Sequence, residues 1–266
     1  MEGYREKNRI AWNKTTIQHQ RSNKEYLLQK MRERTFDFLG SEILAELNGI
    51  NFSEKLVSQI CCNNGRELIA LVSMGAKEGV GFDISDEVIG QAQELAHVAG
   101  QNCSFLRTDI LDNPGEYNGK FDFVYISAGT FCWFESLTQL IVKIKELLKP
   151  GGIIFVNEIH PVVSTMAVID EPGYNPDNEL NMLYSYFKGD PWIEQLNLDY
   201  VSKTKYEPEQ TISFQHTLEE VFSAFLDHGL TIKRFKEFPK DVSAMFRHLE
   251  KYNKLPMSYV LIGQCT

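Results

Sequence analysis

The segment F121-D-F-V-Y-I126 constrains the fold more than any other. Its apolar residues fall on both faces, which suits a strand buried between two helical layers and not a half-solvated edge. The surrounding rhythm agrees. K55-L-V-S-Q-I60 reads as a strand, R66-E-L-I-A-L-V-S-M74 as a helix ending at Gly75, and K77-E-G-V-G-F-D83 as the next strand. Asp86 to Ala99 is helical and stops at Gly100, a residue that readily adopts the left-handed conformation closing a helix. C103-S-F-L-R107 is a third strand, Trp133 to Leu148 a helix stopped by K149-P-G-G152, and I153-I-F-V-N-E158 a fifth strand. Strand–helix units joined by short turns predict a parallel sheet with helices on both faces.

The flanks depart from this rhythm. Residues 1–54 read as a mostly polar helical cover, anchored by A11-W-N13 and L27-L28, broken near F36-D-F-L-G40, and resumed over S41–L47. Residues 161–216 hold eight aromatics and five of the nine prolines, and read as a lid inserted into a domain spanning 55–266, not as a second core. D199–Y206 and Q210–H216 alternate by twos and predict an antiparallel pair turning at Pro208 and Glu209. A helix over Leu218–His228 and strands over Leu230–Phe238 and Met257–Cys265 complete a sheet of seven strands.

Charge narrows the partners. Twenty-seven basic against 36 acidic residues leave a net −9, which argues against a nucleic-acid backbone or an anionic membrane as the main partner. The N-terminus has no apolar signal core, and the longest nearly uncharged run, F123–F134, is too short to span a bilayer. Five cysteines without C-x-x-C spacing suit reduced thiols, so the expected location is the cytoplasm. Cys61 and Cys62 are adjacent and cannot easily both reach one tetrahedral ion, so no metal site is expected. The sequence leaves the oligomeric state open, and a homodimer is compatible with it.

In open α/β sheets the ligand crevice lies beyond the carboxyl ends of the strands, where strand order reverses. Four such ends stand out: C61-C-N63-N-G65, Asp83, Asp109 in R107-T-D-I110, and S127-A-G-T130. Asp83 follows Cys61 by 22 residues, near the roughly 20-residue offset at which a carboxylate reaches a ribose diol. Asp109 suits an exocyclic adenine amine, with Ile84 and Ile110 packing the ring faces. A dinucleotide ribose would also suit Asp83, but no G-x-G-x-x-G follows the first strand, so an NAD-dependent oxidoreductase is the weaker alternative.

This pattern resembles the class I S-adenosylmethionine-dependent methyltransferases, in particular a subgroup taken to act on small molecules. The family's D-x-G-x-G-x-G turn is rendered here as Q59-I-C61-C-N63-N-G65, with Cys61 and Asn63 where the family has glycines and Gln59 where it has an acid. The acidic end of strand two matches Asp83, the strand-three acid Asp109, and the motif after strand four F121–G129. L147-L-K-P-G-G152 matches the turn before strand five. A-W-N at 11–13, C-W-F at 132–134 and E-x-H-P at 158–161 bring the subgroup closer. The resemblance covers roughly 55–160 and, more loosely, 217–265. It implies a Rossmann-like α/β fold, S-adenosylmethionine as methyl donor with S-adenosylhomocysteine as product, and a small-molecule acceptor with an oxygen or nitrogen nucleophile. Trp12, Cys61, Cys62, Asn63, Gly65, Asp83, Ile84, Asp109, Ile110 and Ser127 are then the cofactor-binding candidates. Gly65 would spare the ligand a side chain at the helix start.

Methyl transfer is an in-line displacement that gains most from alignment and exclusion of water. If a general base is used, the candidates are His160, oriented by Glu158, and Tyr125. Trp12, Phe131, Trp133 and Trp192 are nominees to face a sulfonium. Nine acids against three lysines in 161–216 suit a cationic or aromatic acceptor. A protein that senses the cofactor without turnover is the rival from another class.

Overall fold

The computed structural model describes residues 3–112, 115–198 and 205–266. Its helices are α1 (Tyr4–Arg32), α2 (Ser41–Leu47), α3 (Arg66–Ser73), α4 (Asp86–Ala99), α5 (Leu137–Leu147) and α6 (Leu218–Asp227). Its strands are β1 (Leu56–Ile60), β2 (Glu78–Asp83), β3 (Cys103–Arg107), β4 (Phe121–Ile126), β5 (Leu148–Ile159), β6 (Trp192–Leu198), β7 (Lys205–Ser213), β8 (Leu230–Phe238) and β9 (Ser258–Cys265). Seven strands form one sheet in the order β3-β2-β1-β4-β5-β9-β8, with β9 antiparallel to both of its neighbours. The other pairings are parallel.

The doubly apolar β4 sits at the middle of this sheet, as its composition requires. Phe123 and Tyr125 enter a core shared with α1, α2, α3 and α4. Val124 and Ile126 enter the opposite core, closed by α5 and α6. Helix ends follow local chemistry. Ser85 caps α4 by accepting from the Val88 N–H, and Gly100 closes it at φ 62°. Thr217 and Glu220 form a reciprocal capping box on α6.

Some boundaries differ from the sequence reading: α5 starts at Leu137 and not at Trp133, and two differences are larger. K149-P-G-G152 does not separate helix from strand: Leu148 already pairs with Phe121, so β5 takes in the turn with a register shift. The lid hairpin also moves. β6 pairs with β7, putting Pro208 and Glu209 inside a strand, while 199–204 lie outside the described residues. The register shifts between Leu196 and Leu198, and irregular pairing of this kind is where a strand tolerates proline.

The start of the inserted segment shares a small separate core with the chain before β9. Val163 and Met166 pack with Phe246, Leu249 and Met257 from the β8–β9 connection. Lys251 foremost, then Tyr174 and Tyr252, converge on the Glu179 carboxylate and hold its pKa at about 2. The C-terminal part of α1, through Leu27, Leu28 and Met31, belongs to the main core. Its N-terminal part runs over the carboxyl ends of the strands. Among the described residues, no helix is long and apolar enough to cross a membrane.

Candidate active site

Strand order reverses between β1 and β4, so the crevice opens beyond Ile60 and Ile126. The turn leaving β1 keeps a glycine-like backbone without the glycines: Cys61, Asn63 and Gly65 have φ of 49°, 48° and 73°. Asparagine tolerates this region, while a cysteine there costs on the order of 1–2 kcal/mol. Gly65 has a different reason from the expected one. A Cβ at that position would lie 2.3 Å from the Phe105 ring and 3.1 Å from Ala92, so packing against β3 and α4 excludes the side chain before any ligand does.

Hydrogen bonds join the four strand ends. The Asn63 N–H donates to Asp83 Oδ2 at 2.9 Å and the Ser85 N–H to Oδ1 at 3.0 Å. Burial raises the Asp83 pKa, and these backbone donors oppose the rise. Gln59 Nε2 donates to Ser127 Oγ at 3.1 Å and to Glu67 Oε2 at 2.8 Å, tying β1 to the loop after β4 and to the first turn of α3. The Cys61 thiol lies within electrostatic reach of Asp83, Asp109, Cys132 and Glu158, and burial foremost, then these groups, push its pKa well up.

Helix α1 covers this crevice. Arg5 donates to Asp109 Oδ2 at 2.7 Å and Arg9 pairs with Asp86. Asn8 exchanges two 2.8 Å hydrogen bonds with the backbone of Ile212 on β7. The A-W-N motif is a docking device. Ala11 is buried, Trp12 meets Trp133 edge-on with centroids 5.5 Å apart, and Asn13 Oδ1 accepts from Ser85 Oγ at 2.6 Å. The C-W-F segment answers it from below: Cys132 O accepts from the Phe214 N–H and Phe134 O from His216 Nε2, both at 2.8 Å.

Several expected roles need correction. Cys62 is buried, its N–H donates to Phe82 O, and its sulfur faces Gly81 inside the core. Ile110 is a core residue, whereas Ile84 is half-buried beside the crevice. Asp109 is not open to a ligand amine alone, because Arg5 and the Leu111 N–H occupy one oxygen each. The catalytic trio does not assemble. Tyr125 is buried against Phe155, and burial pushes its pKa well up. Glu158 does not orient His160: it accepts from the N–H groups of Gly129, Thr130, Phe131 and Ile159. His160 Nδ1 accepts from the Val162 N–H, and its Nε2 lies 3.1 Å from Glu237 Oε1 without hydrogen-bond alignment. Desolvation lowers the His160 pKa and Glu237 partly opposes this. The sequence reading missed Arg5, Asn8, Glu67 and Glu237. Only Glu67 carried a signal, as an acid in the first turn of the helix that follows the turn.

Residues 57–152 match the family model described as "Methyltransferase domain". Over those residues the chain is similar to a methyltransferase domain, and its seven-stranded, mostly parallel sheet is a Rossmann-like methyltransferase fold. A Listeria monocytogenes protein assigned to the S-adenosylmethionine dependent methyltransferases shares its fold, with a TM-score of 0.63 and 19% identity over 84% of this chain and 96% of that one. Geranyl diphosphate C-methyltransferase from Streptomyces coelicolor A3(2), solved with Mg2+, geranyl diphosphate and S-adenosyl-L-homocysteine, superposes at a TM-score of 0.56 with 12% identity, covering 85% of this chain and 77% of that one. Among curated proteins, the tRNA U34 carboxymethyltransferase of Campylobacter fetus is 28% identical over 108 residues, 41% of this chain. The match spans only 38% of that relative's length.

Proposed function

We propose that this methyltransferase domain binds S-adenosylmethionine in the crevice between β1 and β4 and transfers its methyl group to a small-molecule acceptor. One observation carries the reading: the Asn63 N–H holds Asp83 at the mouth of the β1 turn, 2.9 Å away, leaving further lone pairs for a ribose diol. The residues present fit the cofactor. Gln59 Oε1 is buried without a partner at the same crevice, and the left-handed turn keeps the backbone path that a glycine-rich one would take.

The cofactor supplies an electrophilic methyl on a sulfonium. The chain's own residues bind, align and exclude water. Asp83 takes the ribose end, Trp12 and Trp133 form an aromatic wall, and α1 with β7 closes the opening. With His160 Nδ1 accepting from the Val162 N–H and Glu158 spent on backbone N–H groups, neither of these two nominated bases offers a free basic atom, which suits an acceptor whose proton leaves easily.

Two features favour a small acceptor, and a cationic or aromatic one in particular. The chain's net charge is −9, unfavourable for a nucleic-acid backbone. The lid sets Tyr184 edge-on against Trp192, bonds Tyr184 to Glu171, and brings Glu194 within electrostatic reach of Cys132. Burial, then Glu171, raises the Glu194 pKa. Thermal-shift titration with S-adenosylmethionine, S-adenosylhomocysteine and NAD tests the cofactor, with stabilisation by the first two alone expected. Radiolabelled methyl transfer to a metabolite panel and to bulk tRNA tests the acceptor. Transfer to tRNA overturns the small-molecule reading, and binding without any transfer makes the chain a sensor.

A further inference from the structure

Gln59 is 1% exposed, and its amide is half-satisfied. Both hydrogens are spent, at 2.8 Å on Glu67 Oε2 and at 3.1 Å on Ser127 Oγ, while Oε1 has no partner. A buried amide oxygen left without a donor costs about 1–3 kcal/mol. Asn157 Oδ1 is likewise buried without a partner, and Tyr125 feels both Asn157 and Glu67. Strand β1, the first turn of α3 and the end of β4 thus build a patch rich in acceptors, poor in donors, and carrying one carboxylate. Its complement is a compact cation with several N–H donors, which is an ammonium group.

We infer that Glu67, presented by Gln59 and Ser127, is the recognition site for the α-ammonium of the bound methyl donor, so that α3 supplies the negative charge absent from position 59. The inference rests on the methyl-donor reading above. Adjacent backbone N–H groups at the start of α3 suit the ligand's α-carboxylate, which makes the two halves of a zwitterion read by one strand-to-helix turn. Gln59 acts as a positioning residue: its amide fixes Glu67 and leaves Oε1 as a second acceptor.

The test compares two ligands by calorimetry. S-adenosylhomocysteine carries the amino-acid moiety, and 5′-methylthioadenosine keeps the adenosine and thioether without it. Glu67→Gln is expected to weaken S-adenosylhomocysteine binding about 10- to 100-fold, as expected for one lost charge-assisted contact, and to leave 5′-methylthioadenosine binding unchanged. Glu67→Asp, which keeps the charge, is expected to recover part of that loss. Equal affinity of wild type and Glu67→Gln for S-adenosylhomocysteine, or equal loss of both ligands, overturns the assignment. If wild type binds neither ligand, the methyl-donor reading itself fails and takes this one with it.

Discussion

The Asn63 N–H donates to the Asp83 carboxylate at 2.9 Å, so one hydrogen bond joins the turn after β1 to the tip of β2. The same carboxylate accepts from Ser85, which in turn caps α4. Asp83→Asn is therefore expected to change the ligand-free protein modestly, by about 1 kcal/mol or roughly 2–4 °C in a chain of this size. The stabilisation by S-adenosylhomocysteine should disappear, since the amide removes the charge and leaves one acceptor oxygen where the carboxylate offers two. A ligand shift equal to wild type would remove Asp83 from the site.

The left-handed backbone at Cys61 leads to a second prediction. Cys61→Gly should relieve a φ of 49° and stabilise the fold by about 1 kcal/mol, less the entropy that glycine adds to the unfolded chain. Asn63→Gly should gain less, because asparagine tolerates this region. Gly65→Ala should go the other way, destabilising by several kcal/mol through its contact with Phe105. Urea unfolding of the three variants checks both signs.

How much of this was legible in the sequence depended on how local the cause was. The strands of the main sheet, α4 with its stop at Gly100, and the crevice positions of Asp83 and Ser127 follow from periodicity and from the rule that ligands sit beyond strand ends. Gly65 was legible as a requirement but not as to its reason, because Phe105 lies forty positions away in the chain. The supposed Glu158–His160 pair failed for a geometric reason. Glu158 lies on β5 and His160 just past its end, and Glu158 turns to the loop after β4 while His160 turns to Glu237 on β8. No periodicity announces such cross-strand partners. The lid hairpin slipped because its alternation is weak, and register there depends on β6, which pairs through Trp192 and Ile193.

Asn8 is the test of α1 as a cover. Its side chain satisfies both the N–H and the C=O of Ile212, each at 2.8 Å and buried. Asn8→Ala orphans two backbone groups and should loosen the helix against β7 by about 2–4 kcal/mol. Hydrogen exchange should then rise in the N-terminal half of α1 and in β7, with little change at Leu27–Met31, which are held by the main core. Equal protection in both variants would mean that the cover is held elsewhere.

Glu158 gives the last prediction, a pH dependence with a defined sign. Its carboxyl is 5% exposed, and burial lifts its pKa to about 6 against the donation of four backbone N–H groups. A carboxyl whose folded pKa exceeds its unfolded value binds its proton more tightly in the native state. The contribution to stability is complete below the unfolded pKa, near 4.5, and is lost as pH rises through about 6. The gap between those two values corresponds to about 2 kcal/mol. Glu158→Gln cannot ionise, so the stability of wild type minus that of Glu158→Gln should fall by about 2 kcal/mol between pH 4 and pH 7. At both pH values the variant should also carry a constant penalty, because its NH2 replaces an acceptor facing the Gly129–Phe131 loop. Paired urea titrations at the two pH values measure the difference. A gap that stays constant would place the titration elsewhere, and a gap that widens in favour of wild type at pH 7 would mean that the four donors outweigh burial and hold the charge.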